Sequence, residues 1–315
     1  MKIAVLDADT LGADVSLAPL AACGELIVYG TTAPEELLDR IRDVDVTVQN
    51  KVKLPGNILR QTKKLRLICE AATGFDNIDT TAAREMGIAV CNVPGYSTAS
   101  VVQLTLAMVF SLATNLPAFS AHVASGAYSR GGAANCLTPV FHELAGRTWG
   151  IVGYGNIGRG VADVARALGC RVLAYRRNPQ PGDPCVSLEE LCRECDVITL
   201  HTPLNDETRG LIGERELAMM KPHAILVNVA RGAVTDEAAV ARAVLDGRIG
   251  GFGCDVYSSE PFREDHPFFP LIGQERVCLT PHMAWGSFEA RTRCVETMAA
   301  NIRSFVAGGR DNRIV

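Results

Sequence analysis

Three glycines of this 315-residue chain stand at the spacing of a loop that binds a diphosphate, in the stretch Gly153-Tyr-Gly155-Asn-Ile-Gly158. An apolar run precedes the stretch and a helical pattern follows it, so the glycines lie where a strand turns into a helix. In such a turn Gly153 permits the tight bend, Gly155 lets the backbone approach the diphosphate, and Gly158 lets the helix pack closely on the strand. The helix N-terminus adds unpaired N–H donors. The loop therefore predicts a dinucleotide-binding site.

Basic residues follow the next apolar run, RVLAY, at the place where an acidic residue binds the ribose 2′-hydroxyl of NAD. This chain has Arg176, Arg177 and Asn178 there. A carboxylate would repel a 2′-phosphate, whereas a guanidinium forms charge-assisted, bidentate bonds to it. We therefore expect NADP(H) to be the preferred cofactor. The alternative is that the two arginines only cap an exposed loop, in which case the site also takes NAD(H).

Two series of short apolar runs, alternating with amphipathic stretches, surround these motifs. The first series is KIAVLD, ELIVYG, DVTVQ, LRLICEAAT and IAVCNV, and the second is TWGIVGYG, CRVLAYR, DVITLH, AILVNVA, GGFGCDV and RVCLTP. This alternation predicts parallel strands joined by crossover helices, with the second series forming a Rossmann-type domain. Helices are expected over 34–44, 80–86 and 101–119.

The length of the chain favours two domains, because one hydrophobic core seldom spans 315 residues. We expect an α/β fold in which a dinucleotide-binding domain, 99–286, is inserted into a first domain formed by 1–98 and 287–315. The amphipathic tail that follows residue 286 adds no strand, and we expect it to pack back on the first domain.

Composition and charge narrow the class of partner. The 31 basic and 35 acidic residues give a net charge of -4, which offers no general attraction to nucleic acid or anionic lipid. The apolar stretch 101–119 contains Gln103, Thr105, Asn115 and Pro117, so we interpret it as a buried or dimer-interface helix and not as a membrane span.

The eleven cysteines point to a reducing compartment, because most of them stand among apolar neighbours at predicted strand and helix positions. Cys192 and Cys195 have the spacing of a redox or zinc pair, but they fall on the apolar stripe of a predicted helix, and we interpret them as core residues. The short apolar run at the N-terminus meets Asp7 too early for a signal peptide. A cytoplasmic location is expected.

Several motifs together resemble the D-2-hydroxyacid dehydrogenase family, and the resemblance spans nearly the whole chain. They are, in order, ATGFDNID, NVPGYSTASVV, GYGNIG, HTPLNDETRGLI, KPHAILVNVARGAVTDEAAV, GGFGCDVYSSEP and LTPHMAW. The resemblance implies a homodimer whose subunit has a flavodoxin-like substrate domain with a Rossmann domain inserted in it. Asn50-Lys51, ATGFDNID and PHMAW are most similar to the glycerate dehydrogenase and hydroxypyruvate or glyoxylate reductase branch.

The same resemblance maps three catalytic residues onto Arg231, Glu260 and His282. Reduction of a 2-keto acid requires a proton for the carbonyl oxygen, and histidine is a suitable acid near neutral pH. A carboxylate on the far imidazole nitrogen fixes the tautomer and stabilises the imidazolium, which is the role expected of Glu260. A guanidinium can bind the substrate carboxylate and polarise the carbonyl, which is the role expected of Arg231. The alternative is that each residue only braces a loop or turn.

The resemblance also implies residues that contact the cofactor and the substrate. Besides the glycines and arginines, those expected at the cofactor are Asn156, Ile157, Thr202, Pro203, Thr208, Val229, Ala230 and Asp255. Those expected at the substrate, besides Arg231 and His282, are Asn50, Lys51, Thr73, Gly74 and Trp285. Lys51 is equally compatible with a solvated strand end, and Trp285 with packing at the domain junction.

The predicted function is hydride transfer between NADP(H) or NAD(H) and a small D-2-hydroxy acid and 2-keto acid pair such as glyoxylate or hydroxypyruvate. Two alternatives stay open: a dehydrogenase for a larger 2-keto acid, and a nucleotide-sensing regulator on the same scaffold, like the corepressors of this family. Formate dehydrogenases of similar fold characteristically replace the glutamate with glutamine, so Glu260 argues against that branch.

Overall fold

The computed structural model describes all 315 residues, Met1–Val315. The strands in chain order are β1 (Lys2–Val5), β2 (Glu25–Val28), β3 (Val46–Gln49), β4 (Leu67–Glu70), β5 (Ala89–Cys91), β6 (Thr148–Val152), β7 (Arg171–Tyr175), β8 (Val197–Leu200), β9 (Ile225–Asn228), β10 (Gly251–Cys254) and β11 (Val277–Leu279). The helices are α1 (Ala18–Ala21), α2 (Leu37–Ile41), α3 (Gly56–Leu59), α4 (Thr80–Glu85), α5 (Thr98–Thr114), α6 (Leu116–Ala124), α7 (Ala127–Gly131), α8 (Asn156–Ala167), α9 (Leu188–Glu194), α10 (Glu214–Met219), α11 (Glu237–Leu245) and α12 (Phe288–Val306).

The chain divides into two compact units. The first unit comprises Met1–Ser97 and Trp285–Val315, and the second comprises Thr98–Ala284. The domain boundaries expected from the sequence are 98/99 and 286/287.

The first unit contains a parallel sheet with the strand order β2-β1-β3-β4-β5. This order is that of the flavodoxin-like arrangement. Successive strands are added on one side of β1 and then, from β3 onward, on its other side, so the strand order reverses between β1 and β3. β3 and β4 are buried along their whole length, as central strands covered on both faces must be. α12 shares an apolar cluster with β1, β3 and β4, so the amphipathic tail packs on the first unit, as the sequence predicts.

The second unit contains a parallel sheet with the order β11-β10-β9-β8-β6-β7. The strand order of this sheet reverses between β6 and β8, and doubly wound sheets bind ligands at such a reversal. Small residues let a helix lie close to this sheet: a Cβ on Gly253 of β10 would stand 3.4 Å from Met108 of α5. The predicted α/β class with two parallel sheets is confirmed.

Two predicted helices differ from the observed ones. The helix expected over 101–119 is broken, because Asn115 has a left-handed φ of 53° and Pro117 stands in the first turn of α6. The helix expected over 34–44 is confined to α2. Residues 34–36 form turns instead, and the carboxylate of Glu36 accepts the N–H of Ala33 at 3.0 Å. The prediction that Gly87 ends the helix at 80–86 is correct, since Gly87 follows α4 with a φ of 69°.

The Cys192 and Cys195 pair lies in the apolar core of the second unit. Burial raises the pKa of each thiol to about 12, so both remain protonated at neutral pH. No group of three or more His, Cys, Asp or Glu residues is placed to hold a metal ion. No single helix has the length and apolar composition of a membrane span, and α5 with α6 reaches that composition only as a pair bent by 66°.

Candidate active site

The glycine loop joins β6 to α8, at the reversal of strand order in the second unit. Gly153 has a φ of +98°, and a Cβ there would stand 2.6 Å from the backbone of His201 and Thr202. A Cβ on Gly158 would stand 2.2 Å from the carbonyl oxygen of Gly153. Around Gly155, in contrast, no atom lies within 4 Å of such a Cβ. Two of the glycines are therefore required by packing, and Gly155 leaves open space at the N-terminus of α8.

The loop that follows β8 faces the glycine loop and contains the predicted residues Thr202, Pro203 and Thr208. The hydroxyl of Thr208 donates to the carbonyl of Pro203 at 2.7 Å, and accepts the N–H of Asn205 at 2.8 Å. Thr208 therefore shapes this loop from within. His201, which the sequence did not single out, begins the loop, and burial lowers its pKa to about 3. This histidine stays neutral at physiological pH and is a poor proton donor.

The first turn of α8 and the end of β7 bring three arginines to one edge of the sheet. The carboxylate of Asp183 lies 2.8 Å from Arg159 and 3.2 Å from Arg176, and its side chain is only 4% exposed. Arg177 points elsewhere and forms an exposed ion pair with Glu207 at 2.5 Å. Sequence reasoning missed Arg159 and Asp183. Asp183 lies in the irregular loop after β7, and nothing in the sequence of that loop indicates that it folds back beside the end of this strand. In the same helical turn Asn156 is exposed and Ile157 is half-buried.

Arg231 follows β9, in a turn that is fixed by Asn228. The buried Asn228 side chain donates to the carbonyl of Arg231 at 2.9 Å and accepts the N–H of Ala230 at 3.0 Å. Val229 and Ala230 are buried within this turn. The guanidinium of Arg231 donates to the carbonyl of Ala230 at 2.9 Å and is half-buried. Asn228 was missed in the sequence, although an amide at the end of an apolar strand is a recognisable signal.

Glu260 and His282 lie in contact, although 22 residues separate them in the chain. Nδ1 of His282 is 2.6 Å from Oε2 of Glu260, and the other carboxylate oxygen accepts the N–H of Tyr257 at 3.1 Å. Both side chains are partly exposed, at 21% for His282 and 28% for Glu260. The backbone of His282 has a left-handed φ of 53°, a conformation that histidine tolerates better than most residues.

Asp255 fixes the turn that presents His282. Its buried carboxylate accepts hydrogen bonds from the hydroxyl of Thr280 at 2.6 Å and from the N–H groups of Met283 and Ala284 at 2.8 Å each. Burial raises the pKa of Asp255, while the three donors and the nearby His282 act against that shift. The protein itself supplies the donors that this carboxylate needs, so its burial requires no ligand. Its role in binding the cofactor stays a prediction.

In the first unit, the predicted residues Asn50 and Lys51 follow β3 at the reversal of strand order. Their backbone N–H groups donate to the carboxylate of Asp7, at 3.0 Å and 2.6 Å, and Val52 adds a third donor at 3.3 Å. Burial raises the pKa of Asp7 even though these donors favour its charged form. Asn50 is buried and Lys51 is exposed. Asp7 was considered only as an end to the N-terminal apolar run, and its role in shaping this loop was missed.

A second buried carboxyl, Glu70, ends β4 of the same sheet. It accepts a hydrogen bond from the amide of Gln49, whose carbonyl oxygen accepts in turn from Asn77 at 3.1 Å. The Asn77 amide also donates to the carbonyl of Asn50 at 3.0 Å. Burial and the nearby Asp7 raise the pKa of Glu70 to about 9, so its neutral form dominates at physiological pH.

The remaining predicted substrate residues also lie in the first unit. Thr73 donates from its hydroxyl to the carbonyl of Val93 at 2.9 Å, which fixes the turn that continues into the half-buried Gly74. Trp285 packs against Tyr96, with ring centroids 6.5 Å apart, in the apolar cluster of this unit. This contact gives Trp285 a packing role and does not test whether it also contacts substrate.

Comparison with known proteins identifies the chain. The family model described as "D-isomer specific 2-hydroxyacid dehydrogenase, NAD binding domain" matches residues 106–284, which is more than half of the chain. The chain belongs to the D-isomer specific 2-hydroxyacid dehydrogenase family. This dehydrogenase is therefore a nicotinamide-dependent oxidoreductase that acts on the CH–OH group of its donor. The predicted family and reaction class are confirmed.

Relatives of this dehydrogenase match it over nearly their whole length. It is 36% identical over 312 residues to the glycerate dehydrogenase of Methylorubrum extorquens, which covers 99% of this chain and 98% of the relative. It is 35% identical over 321 residues to the hydroxypyruvate reductase of Blautia hydrogenotrophica, with 99% of each chain covered. Both relatives carry names of the predicted branch.

A solved structure supports the fold of this dehydrogenase and its class of cofactor. An acyclic imino acid reductase in complex with NADPH and D-Arg superposes with a TM-score of 0.89 and 27% identity, with 100% of both chains covered. The glycine loop of this dehydrogenase fits the diphosphate of such a cofactor, because Gly155 leaves open space beside the N-terminal amides of α8.

Proposed function

We propose that this dehydrogenase reduces a small 2-keto acid, such as glyoxylate or hydroxypyruvate, to the D-2-hydroxy acid, with NADPH as the preferred cofactor. The observation that carries the proposal is the 2.6 Å contact between Nδ1 of His282 and Glu260, in the unit that also presents Arg231 after a neighbouring strand. The names of the relatives supply the substrate class: one is a glycerate dehydrogenase and another a hydroxypyruvate reductase.

His282 is the proposed proton donor to the keto oxygen. Because Glu260 contacts Nδ1, it fixes the tautomer in which that nitrogen carries a proton, and it stabilises the imidazolium. Nε2 then holds the proton that is delivered to the substrate. In the oxidation direction, the neutral ring accepts the hydroxyl proton at the same atom. The negative charge of Glu260 thus favours the form of His282 that reduction requires.

Arg231 is the proposed anchor for the substrate. A guanidinium can bind the carboxylate of a 2-keto acid and polarise the adjacent carbonyl as negative charge develops on its oxygen. The turn held by Asn228 fixes the backbone from which this side chain extends. We also assign the strand ends of the first unit to substrate binding, namely Asn50, Lys51, Thr73 and Gly74, with Trp285 as a further candidate.

The cofactor is proposed to bind along the carboxyl edge of the second sheet. When bound, it supplies the hydride of the reaction. The residues that would hold it are Gly153, Gly155, Gly158, Asn156, Ile157, Thr202, Pro203, Thr208, Val229, Ala230 and Asp255. All of them stand in the second unit, on loops that follow β6, β8, β9 or β10 or in the first turn of α8.

The preference for NADPH rests on the arginines near β7. Arg176 and Arg159 share the single carboxylate of Asp183, so this cluster keeps a net positive charge that suits a 2′-phosphate. Arg177 is a weaker candidate, because it pairs with Glu207 away from the cluster. The ratio of kcat/KM for NADPH to that for NADH tests the preference, and Arg176→Ala should lower this ratio. A wild-type ratio below one would contradict it.

A homodimer is proposed because apolar side chains are exposed on α6 and the segment that follows α7. Leu116 and Val123 of α6 are 61% and 59% exposed, and Leu137 and Val140 are each 71% exposed. A second copy of the chain would remove this patch from water. Light scattering on the wild type and on Leu137→Ser/Val140→Ser tests the proposal, with a dimer expected for the first and a monomer for the second. A monomeric wild type would contradict it.

The remaining proposals concern location and other partners. We propose a cytoplasmic location, because eleven free thiols suit a reducing compartment. Binding to nucleic acid or to a membrane is not part of the proposed function, since the net charge of -4 gives no general attraction to polyanions.

Oxidation of NADPH and NADH, followed by absorbance, tests the function with glyoxylate, hydroxypyruvate, pyruvate and longer 2-keto acids. We expect the highest kcat/KM with one of the first two acids. Turnover confined to the longer acids would support a dehydrogenase for a larger substrate. No turnover with any acid, together with tight cofactor binding, would contradict the proposal and favour the nucleotide-sensing alternative.

A further inference from the structure

A buried carboxylate outside the catalytic set binds the loop that carries Glu260. Glu237, the first residue of α11, accepts the backbone N–H of Ser258 with Oε1 at 2.8 Å. Its other oxygen, Oε2, accepts the hydroxyl of the same serine. Glu237 is only 8% exposed, whereas Ser258 lies on an exposed loop. One carboxylate therefore fixes both the main chain and the side chain of a residue two positions before Glu260.

His266 lies against this carboxylate, at the far end of the same loop. Its Nε2 lies 3.1 Å from Oε2 of Glu237, and its Nδ1 accepts the N–H of Phe268 at 3.1 Å. Because Nδ1 is an acceptor, the ring proton is on Nε2, but Nε2 forms no hydrogen bond, so it contacts the carboxylate by proximity alone. His266 is 7% exposed and packs between Phe262 and Phe268, with centroid distances of 4.9 and 5.3 Å. The loop that carries Glu260 therefore contacts Glu237 at two places, Ser258 and His266.

A second contact joins this loop to the segment of Arg231. Gly232 follows Arg231, and a Cβ on Gly232 would stand 2.2 Å from the backbone of Tyr257 and 2.3 Å from that of Ser258. The two chain segments are therefore in direct backbone contact. Glu237 continues the first segment and is hydrogen-bonded to the second, so it links the segment that follows Arg231 to the segment that precedes Glu260.

The orientation of Glu260 depends on the same backbone. Its Oε1 accepts the N–H of Tyr257 at 3.1 Å, which leaves Oε2 directed at Nδ1 of His282 at 2.6 Å. A shift of the Tyr257–Ser258 backbone would move that donor and rotate the carboxylate away from the imidazole.

We propose that Glu237, which contacts His266 and is hydrogen-bonded to Ser258, is a positioning residue that orients Glu260 toward His282 and fixes the spacing of Glu260 and Arg231. The inference rests on the proposed catalytic roles of Arg231, Glu260 and His282. Glu237 touches none of the reacting groups in this arrangement. It acts through the Tyr257–Ser258 backbone.

A double-mutant cycle of Glu237→Gln and Glu260→Gln tests the proposal. Glutamine keeps the shape of Glu237 but offers only one acceptor oxygen to the two donors of Ser258, so the loop loses at least one bond. We expect Glu237→Gln alone to lower kcat/KM for reduction by about 10-fold or more, with a cofactor Kd within about twofold of the wild type. In the Glu260→Gln background the same change should lower kcat/KM by less than about threefold, because residues that act through one another are not additive.

The pH dependence adds a readout that a purely structural role would not move. In Glu237→Gln, the pH midpoint above which reduction declines should shift in the same direction as in Glu260→Gln. Glu216→Gln is the matched control: its carboxylate also caps a backbone N–H in this unit, that of Gly213 at 3.2 Å, but on α10, away from the Glu260 loop. It should leave the pH midpoint unchanged.

Ser258→Ala keeps the test decisive if Glu237→Gln does not fold, since it removes one donor and leaves the backbone bond. We expect a loss in kcat/KM of about three- to tenfold that again disappears in the Glu260→Gln background. Equal losses in both backgrounds, or an unchanged pH midpoint in each single variant, would overturn the positioning role. A Glu260→Gln enzyme with wild-type turnover would instead contradict the proposed catalytic set, which distinguishes the two failures.

Discussion

The carboxylate of Glu260 lies 2.6 Å from Nδ1 of His282, and the backbone N–H of Tyr257 directs it there. Neither residue is deeply buried, so the pair can meet a substrate while the protein fixes its geometry. The second histidine at this edge of the sheet, His201, is kept neutral by burial. Of these two histidines, only His282 therefore has the carboxylate partner that a proton donor needs.

Glu260→Gln should lower the pH at which reduction declines. The variant keeps the shape of the side chain but replaces the charged partner of Nδ1 of His282 with a neutral amide, which no longer favours the proton-donating form of the site. We expect the midpoint of the pH profile of kcat/KM to fall relative to that of the wild type. Glu264→Gln, an exposed change in the same loop, is the control and should match the wild type. An unmoved midpoint in Glu260→Gln would exclude the proposed role.

His282→Ala should abolish most turnover and leave cofactor binding intact. Loss of a general acid lowers rates by about 10²- to 10⁴-fold, while the proposed cofactor loops stand on other strands. Single-turnover reduction and a fluorescence titration with NADPH measure the two effects. The control is His223→Ala, whose ring contacts Asp196 beyond the amino end of β8, opposite the catalytic edge. Turnover close to that of the wild type would refute the assignment.

The strands and the loops that carry the proposed catalytic residues could be predicted because each has a recognisable signal in the sequence. All eleven strands fall on the apolar runs, since a central parallel strand must be apolar on both faces. The glycine loop has its own spacing. Arg231, Glu260 and His282 were located by resemblance to a family, which also implied the contact of Glu260 with His282 that the structure contains.

The parts that were missed depend on contacts between distant segments. Asp183 reaches the arginines from an irregular loop, and Glu237 meets His266 and Ser258 across more than twenty residues. The break at Asn115 was missed because the residues on both sides of it are equally apolar. A single residue with a left-handed backbone does not change the spacing of the apolar residues around it, so the sequence periodicity does not reveal it.

Glu70→Gln should make the stability of the protein less sensitive to pH. In the folded state burial and Asp7 raise the pKa of Glu70 to about 9, against 4.5 for an ordinary glutamate. Between these values the folded chain binds a proton that the unfolded chain has released, so the free energy of unfolding falls as pH rises from about 4.5 to about 9. Glutamine resembles the neutral acid and still accepts the bond from Gln49, so it removes this dependence.

Thermal unfolding from pH 4.5 to 9 measures the effect. The Tm of Glu70→Gln should equal that of the wild type near pH 4.5 and exceed it increasingly toward pH 9, by about 2 °C for each kcal/mol in a chain of this size. Glu25→Gln, an exposed change on β2 of the same sheet, should give a constant difference from the wild type. A Glu70→Gln curve parallel to that of the wild type would show that the carboxyl does not titrate in this range.

Gly155→Ala and Gly158→Ala should separate cofactor binding from folding. A Cβ on Gly158 would lie 2.2 Å from the backbone oxygen of Gly153, so the alanine must displace main chain, and we expect a loss of about 1–3 kcal/mol in stability. Nothing lies within 4 Å of a Cβ on Gly155, and its φ of -93° suits alanine. Gly155→Ala should therefore unfold at nearly the wild-type Tm.

The same methyl group on residue 155 would occupy the space that we assign to the diphosphate. The Kd for NADPH should rise by about 10-fold or more in Gly155→Ala, because a backbone that can no longer approach the phosphates loses their hydrogen bonds. Gly131→Ala is the matched control: its Cβ also meets nothing within 4 Å, but it lies on α7, away from the loop. If Gly155→Ala binds NADPH as tightly as this control does, the loop is not the cofactor site.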